Sequence, residues 1–202
     1  IPTHYNLILN APPEARTHDR SSIRKLLCSS APVRKSMKLA IMEFFPDVQL
    51  YEAYGSTEAG IVTVLKPEYQ MKKLGSIGFE SLGTELIKIL DTEKNEVPAG
   101  QVGELHSRGP MLFKEYYKLP EKTAGAFHDG WFSAGDMATR DEDGFYNIVD
   151  RKDNMIITGG ENVYSQEVEN VLYDHPAVAE CAVFGIPDER WGERVHAVVR
   201  VR

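Results

Sequence analysis

Three short stretches of this sequence concentrate the residue types that handle phosphates and sugars. Tyr54 to Gly60 (YGSTEAG) sets two glycines, two hydroxyls and a carboxylate side by side. Exposed backbone N–H groups and the Thr57 hydroxyl can hold a phosphate there, Glu58 can offer an oxygen to Mg²⁺, and Tyr54 can stack on a base. A plain polar loop, with Tyr54 filling a sheet edge, accounts for the same composition. Gly130 to Asp136 (GWFSAGD) ends in a carboxylate suited to a ribose diol, although an aspartate in a turn is the commoner reason for such a residue. Asp150 to Glu169 (DRKDNMIITGGENVYSQEVE) crowds alternating charges against an apolar run and the Gly159-Gly160 pair, a pattern that a linker with a tight turn also produces.

The elements that must position these residues are legible around them. Arg24 to Ser29 (RKLLCS) and Val48 to Ala53 (VQLYEA) read as strands, and between them Val33, Met37, Ala40, Ile41 and Phe44 share one helical face. Pro32 is expected in the first helical turn and Pro46 beyond the last, which makes a strand, helix, strand crossover with parallel strands. Ser29-Ser30-Ala31-Pro32 and Tyr54-Gly55-Ser56-Thr57-Glu58 then leave the carboxyl edge of one sheet, where open parallel sheets bind ligands. From about Gly75 to Val149 the period becomes two, over Glu85 to Leu90, Val102 to Arg108 and Phe145 to Val149. That predicts an antiparallel, barrel-like region, with Asp141-Glu142-Asp143-Gly144 as a hairpin loop closed by Gly144 at positive φ. After Asp150, Ser165 is expected to cap a helix with Val168, Val171 and Leu172 on one face, followed by strands over Ala179 to Phe184 and Val195 to Val201.

Composition excludes several classes. The chain has 202 residues, 23 Lys and Arg against 30 Asp and Glu, and a formal charge of -7, with no basic block of the kind a nucleic-acid surface needs. Cys28 and Cys181 stand alone, so neither a disulfide framework nor a zinc cluster is indicated, and His4, His106 and the other histidines lack metal-ligand spacing. No stretch reads as a signal peptide or membrane helix, and a cytoplasmic location is expected.

Taken together and in order, YGSTE, GELHSRGPMLFKEYYKLPEKT, GWFSAGD and DRKDNMIITGGENVYSQEVENVL closely resemble the adenylate-forming superfamily, in its acyl- and aryl-CoA synthetase branch. The GGENVY form of the last motif is what favours that branch over peptide-synthetase adenylation domains. The resemblance implies an α/β AMP-binding subdomain ending near 74, a β-barrel-like antiparallel subdomain over 75–152, and the start of a small α+β C-terminal domain over 153–202. It implies two half-reactions: a carboxylic acid attacks the α-phosphate of ATP to give an acyl-adenylate, and the thiol of coenzyme A then displaces AMP. Thr57 would contact the α-phosphate and Glu58 the Mg²⁺. Tyr54 would lie on the adenine face, and Ser30, Ala31 and Pro32 would line the adenine edge and acyl pocket. The nucleotide-facing segment would take in Glu52, Ala53, Gly55 and Ser56 as well. Asp136 and Arg151 would hold the ribose, Asp153 would be the hinge, Gly159 and Gly160 would line the thiol tunnel, and Trp191 would stack on the CoA adenine or fill the small domain's core. The loop that wraps the β- and γ-phosphates is expected before Ile1 and the adenylation lysine beyond Arg202, so the isolated chain is expected to turn over no substrate. A carrier-protein acceptor and a non-catalytic AMP- or CoA-binding module are the alternatives. The wall Ser29 to Ala31 and Tyr54 to Ile61 carries no diagnostic charge, which favours an apolar acid, fatty or aromatic. Oligomeric state is not legible.

Overall fold

The computed structural model describes residues 1–81, 84 and 86–202. The chain opens on helix α1 (Pro2–Leu9) and reaches β1 (Lys25–Ser29), α2 (Lys35–Phe44) and β2 (Gln49–Ser56). β1 and β2 are parallel, with Cys28 opposite Glu52 and Ser29 opposite Ala53, so both strands run toward the expected carboxyl edge. The 3.6-residue periodicity places Ile41 in the core with Tyr5, Cys28, Val33, Phe45 and Leu50, and Met37 and Phe44 pack against that cluster. The Tyr5 hydroxyl donates to the Leu27 carbonyl at 3.0 Å, fastening α1 to β1.

Two local expectations are corrected here. α2 begins at Lys35 with Arg34 still extended, so Pro32 precedes the helix instead of occupying its first turn. Ser30 stands at φ 75, so the chain bends at that left-handed residue on leaving β1 and enters the helix only after Arg34. β2, for its part, does not stop at Ala53. β3 (Gly60–Leu65) folds back on it antiparallel, so Tyr54, Gly55 and Ser56 are ladder residues and only 57–59 form a turn.

β4 (Ser76–Glu80), β5 (Leu86–Leu90) and β6 (Gly103–Arg108) follow, then α3 (Pro120–Ala126), β7 (Phe127–His128), β8 (Trp131–Arg140) and β9 (Tyr146–Arg151). Glu85, expected to begin the β5 strand, lies outside the described residues. The hydrogen-bonded order is β1-β2-β3-β4-β9-β8-β6-β5, with β7 on β8. The loop at 141–144 closes as expected with Gly144 at φ 85, and Lys73 clamps it through the Asp141 and Asp143 carboxylates.

The last elements are β10 (Ile156–Thr158), β11 (Glu161–Val163), α4 (Ser165–Tyr173), β12 (Val178–Asp188) and β13 (Gly192–Val201), whose strands run β11-β10-β13-β12. Ser165 is the first helical residue and makes no cap bond to its own helix, contrary to expectation. Its hydroxyl donates to Asp150 at 2.8 Å, and the same carboxylate oxygen accepts the Gln166 N–H at 3.0 Å, so Asp150 caps α4 from fifteen residues upstream. Val171, expected on the packed face, is 72 % exposed.

The architecture is thus an α/β N-terminal region, a large mixed sheet that is mostly antiparallel, and a small α+β segment. It divides into two compact units, residues 1–88, 106–134 and 140–147 in one and 89–105, 135–139 and 148–202 in the other. Among the described residues no helix is long and apolar enough to cross a membrane.

Candidate functional site

In the first unit the candidate residues gather at the ends of β1 and β2. Ser30, Ala31 and Pro32 are exposed immediately after β1, while Ala53 is buried and Tyr54 half-buried on β2. Gly55 faces the next strand so closely that a Cβ there would lie 1.9 Å from the Gly60 carbonyl oxygen. A β-bulge between Tyr54 and Gly55 turns the hairpin end at this point, and only glycine fits it. Thr57 is exposed at the tip, where its hydroxyl and the neighbouring turn N–H groups can meet a phosphate. The Ser56 hydroxyl is committed to the turn, accepting the Ala59 N–H at 3.1 Å.

Glu58 is the most constrained member of this group. Its Oε1 accepts the Tyr116 hydroxyl at 2.8 Å, and its backbone carbonyl accepts the Phe113 N–H at 2.7 Å. The Tyr116 bond, with smaller help from Ser56 and the Lys122 ammonium, holds the Glu58 carboxyl below the ordinary glutamate range. Tyr116 is itself fastened, because its N–H donates to the Thr123 hydroxyl at 3.0 Å and its ring is 4.7 Å from that of Phe113. Tyr116 lies inside a family-like motif, yet sequence reasoning gives it no role; its contact with Glu58 spans fifty-eight residues and has no local signal. No group of three or more potential metal-ligating side chains exists among the described residues. A single ionised, accessible carboxylate such as Glu58 is what Mg²⁺ needs when its other ligands are water and substrate phosphates.

Glu52 is placed differently from the rest of its segment. It forms an ion pair with Lys38, whose side chain is 1 % exposed, and burial raises the Glu52 pKa although Lys38 and the Val33 N–H pull it down.

In the second unit Asp136 sits in the middle of β8, which excludes the turn explanation, and is 7 % exposed. Its Oδ1 lies 3.2 Å from the Arg151 guanidinium at the end of β9. The pair sets an acceptor beside a donor, the combination a vicinal diol can use. Asp150 supports it from behind: its Oδ1 accepts the Arg151 N–H at 2.7 Å and the Asn154 side-chain amide at 3.3 Å. Asp153 is exposed in the short 3₁₀ turn Lys152–Asn154. Gly159 and Gly160 turn the β10–β11 hairpin at φ 61 and 89. Trp191 comes to this turn. Its carbonyl accepts the Gly159 N–H at 2.9 Å, and a Cβ on Gly159 would stand 2.9 Å from the indole ring. At 47 % exposure, with the Arg190 guanidinium 4.6 Å over it, Trp191 is a surface platform and not a core residue.

Comparison with known proteins agrees in kind. Residues 1–117 match the family described as AMP-binding enzyme, and residues 167–202 match the AMP-binding enzyme C-terminal domain. The chain is 44 % identical over 200 residues to a feruloyl-CoA synthase of an Amycolatopsis species, covering 98 % of this chain and 40 % of that protein. It is 43 % identical over 195 residues to a medium/long-chain fatty-acid–CoA ligase of Mycobacterium tuberculosis, covering 94 % of this chain and 33 % of that enzyme. The structure of an amide bond synthetase from Marinactinospora thermotolerans superimposes with a TM-score of 0.88 at 36 % identity, over 99 % of this chain and 40 % of that one. The chain therefore spans two fifths or less of the length of these relatives.

Proposed function

We propose that this chain, which belongs to the AMP-binding enzyme family, is part of an ATP-dependent acyl- or aryl-CoA synthetase. The observation that carries the reading is the β2–β3 hairpin tip, where Thr57 is exposed beside a Glu58 carboxylate kept ionised by Tyr116. In the first half-reaction an oxygen of the carboxylic acid bonds to the α-phosphorus of ATP as the bond to pyrophosphate breaks. Such a step calls for positioning and charge neutralisation more than for covalent help from the protein. Thr57 and the turn N–H groups hold the α-phosphate, Tyr54 and the Ser30 to Pro32 segment flank the adenine and the acid, and Asp136 with Arg151 takes the ribose hydroxyls. Glu58 would hold Mg²⁺, which when bound neutralises the phosphate oxygens. In the second half-reaction the thiol of coenzyme A bonds to the acyl carbon and AMP leaves. Gly159 and Gly160 give the thiol arm a backbone-only wall, Trp191 gives its adenine a stacking face, and Asp153 is the pivot of a C-terminal domain beginning there. The subdomain boundaries at 74 and 152 belong to the same reading. Both cysteines are unpaired, in keeping with a reducing compartment, and we place the enzyme in the cytoplasm.

The acid is apolar, and the two curated relatives make a hydroxycinnamate and a medium- or long-chain fatty acid the first compounds to try. The likeness to an amide bond synthetase supports a second reading, in which the same acyl-adenylate is taken by an amine. ATP–pyrophosphate exchange by the full-length protein, run with ferulate and with fatty acids of graded length, tests the first half-reaction. Exchange with at least one acid is expected, and its absence with all of them overturns the reading. Adding coenzyme A or an amine and identifying the product by mass then decides the acceptor.

A further inference from the structure

Lys38 is the one lysine among the described residues to be fully buried, at 0 % exposure, and it reaches from α2 across to Glu52 on β2. The Glu52 carboxylate stands two residues before Tyr54, opposite Cys28 in the β1–β2 register, and the Val33 N–H at the approach to α2 is near enough to pull its pKa down. Three segments therefore meet on one carboxylate: the exit from β1, the first face of α2, and the strand that leads to Thr57. An arrangement of this kind is not explained by stability. Taking both charges out of water costs about as much as their attraction returns, and a well-packed apolar pair of the same volume is often as stable or more so. It does fix geometry, because a carboxylate with two partners tolerates little displacement of either. The segment it fixes begins at Ser30, a non-glycine residue at φ 75, a conformation that persists only when its surroundings over-determine it.

We infer that the buried Lys38–Glu52 pair is a positioning device for the nucleotide and acyl pocket, holding the Ser30 to Val33 segment at a set distance from the Tyr54 to Thr57 edge. Glu52 thus acts through Lys38 and the Val33 N–H, not by touching ligand. The inference rests on the function proposed above, and its test separates the two. In the full-length protein, K38M alone leaves a buried carboxylate unpaired and is expected to unfold, so the informative variants are K38M/E52M and E52Q. The double variant is expected to keep its thermal midpoint while kcat/KM for ATP–pyrophosphate exchange falls by about 10²-fold, the cost of an ångström-scale misplacement. E52Q keeps a carbonyl acceptor for both partners and is expected to retain most of the activity. A double variant with wild-type kcat/KM overturns the inference, as does an inactive E52Q with an unchanged midpoint, which would place Glu52 in contact with ligand. Independently of turnover, the Val33 amide of the 202-residue chain is expected to be protected from hydrogen exchange in the wild type and to lose that protection in the double variant. Equal protection in both overturns the inference even if the wild-type enzyme shows no exchange with any acid, an outcome that by itself counts only against the proposed function.

Discussion

At the scale of single residues, the Glu58 carboxylate and its partner make the clearest test. The Tyr116 hydroxyl is the largest influence lowering the Glu58 pKa, so Tyr116→Phe is expected to return that pKa toward the ordinary glutamate value. Titration of the side-chain carboxyl followed by ¹³C NMR reads this directly, and an unmoved pKa would remove Tyr116 from the site. The sign follows from linkage: with its folded pKa depressed, Glu58 contributes stability above the ordinary pKa and loses it as pH falls through the lowered one. Glycines offer a contrast that separates space from conformation. A methyl on Gly55 would sit 1.9 Å from a backbone carbonyl, and Gly55→Ala is expected to cost about 1–3 kcal/mol as an overpacked site. Gly125, inside α3, is the opposite case: a methyl added there would meet nothing within 4 Å, and Gly125→Ala is expected to stabilise by about 0.4–1 kcal/mol. Urea unfolding of both variants checks the pair.

At the scale of elements, α4 depends on a residue outside itself. Asp150 accepts the Gln166 N–H and the Ser165 hydroxyl, so Asp150→Ala leaves the first turn of α4 without its cap and is expected to cost about 0.5–2 kcal/mol. Faster amide exchange at Gln166, with the β12–β13 hairpin unchanged, would localise the loss. This cap also marks where sequence reasoning reaches its limit. Local pattern was enough for α2, whose apolar residues recur at helical spacing, and for the hairpin at 141–144, whose Gly144 has the φ that the loop requires. It was not enough for Ser165, because the capping carboxylate comes from a distant position that no window contains. β8 escaped a strand assignment for a different reason: Gly135 and Asp136 are poor strand formers, and Gly135 at φ 79 breaks the alternation in mid-strand. The overrun of β2 into YGS needed knowledge of its partner β3, since pairing and not composition makes those three residues a ladder.

At the scale of the whole molecule, the candidate site was readable as motifs in order, while the charges that support it were not. Lys38 looks like any surface lysine of an amphipathic helix until the fold buries it, and charged residues are so seldom buried that sequence alone points the other way. The same hidden charges shape stability against pH. Asp19 and Glu58 titrate below their ordinary values through the Ser21 N–H and the Tyr116 hydroxyl. Glu180 does so through Arg200, and Asp141, despite a burial effect of opposite sign, through Lys73. As pH falls through the ordinary carboxylate range, the unfolded chain takes up protons that these four groups refuse in the fold, so stability must fall. Glu52 works in the opposite sense, since burial raises its folded pKa and the fold binds its proton first. Glu52 therefore opposes the acid loss that the other four produce. On the alkaline side, burial and the Glu80 carboxylate push Tyr146 up to about 12, so the unfolded chain releases that proton first and stability falls as pH rises from the ordinary tyrosine value toward 12. Lys73, with its pKa raised by Asp141 and Asp143, likewise contributes below its ordinary value and loses its contribution as pH rises through the raised one. The expected profile of urea midpoint against pH is a dome with a broad neutral plateau, and Tyr146→Phe should make its alkaline limb shallower, with Lys73 still contributing to it, while leaving the acid limb in place. A midpoint that stays level from neutral pH into the acid range, in the wild type and in E52Q alike, would mean that the four carboxylates hold no partners in solution, Glu58 among them.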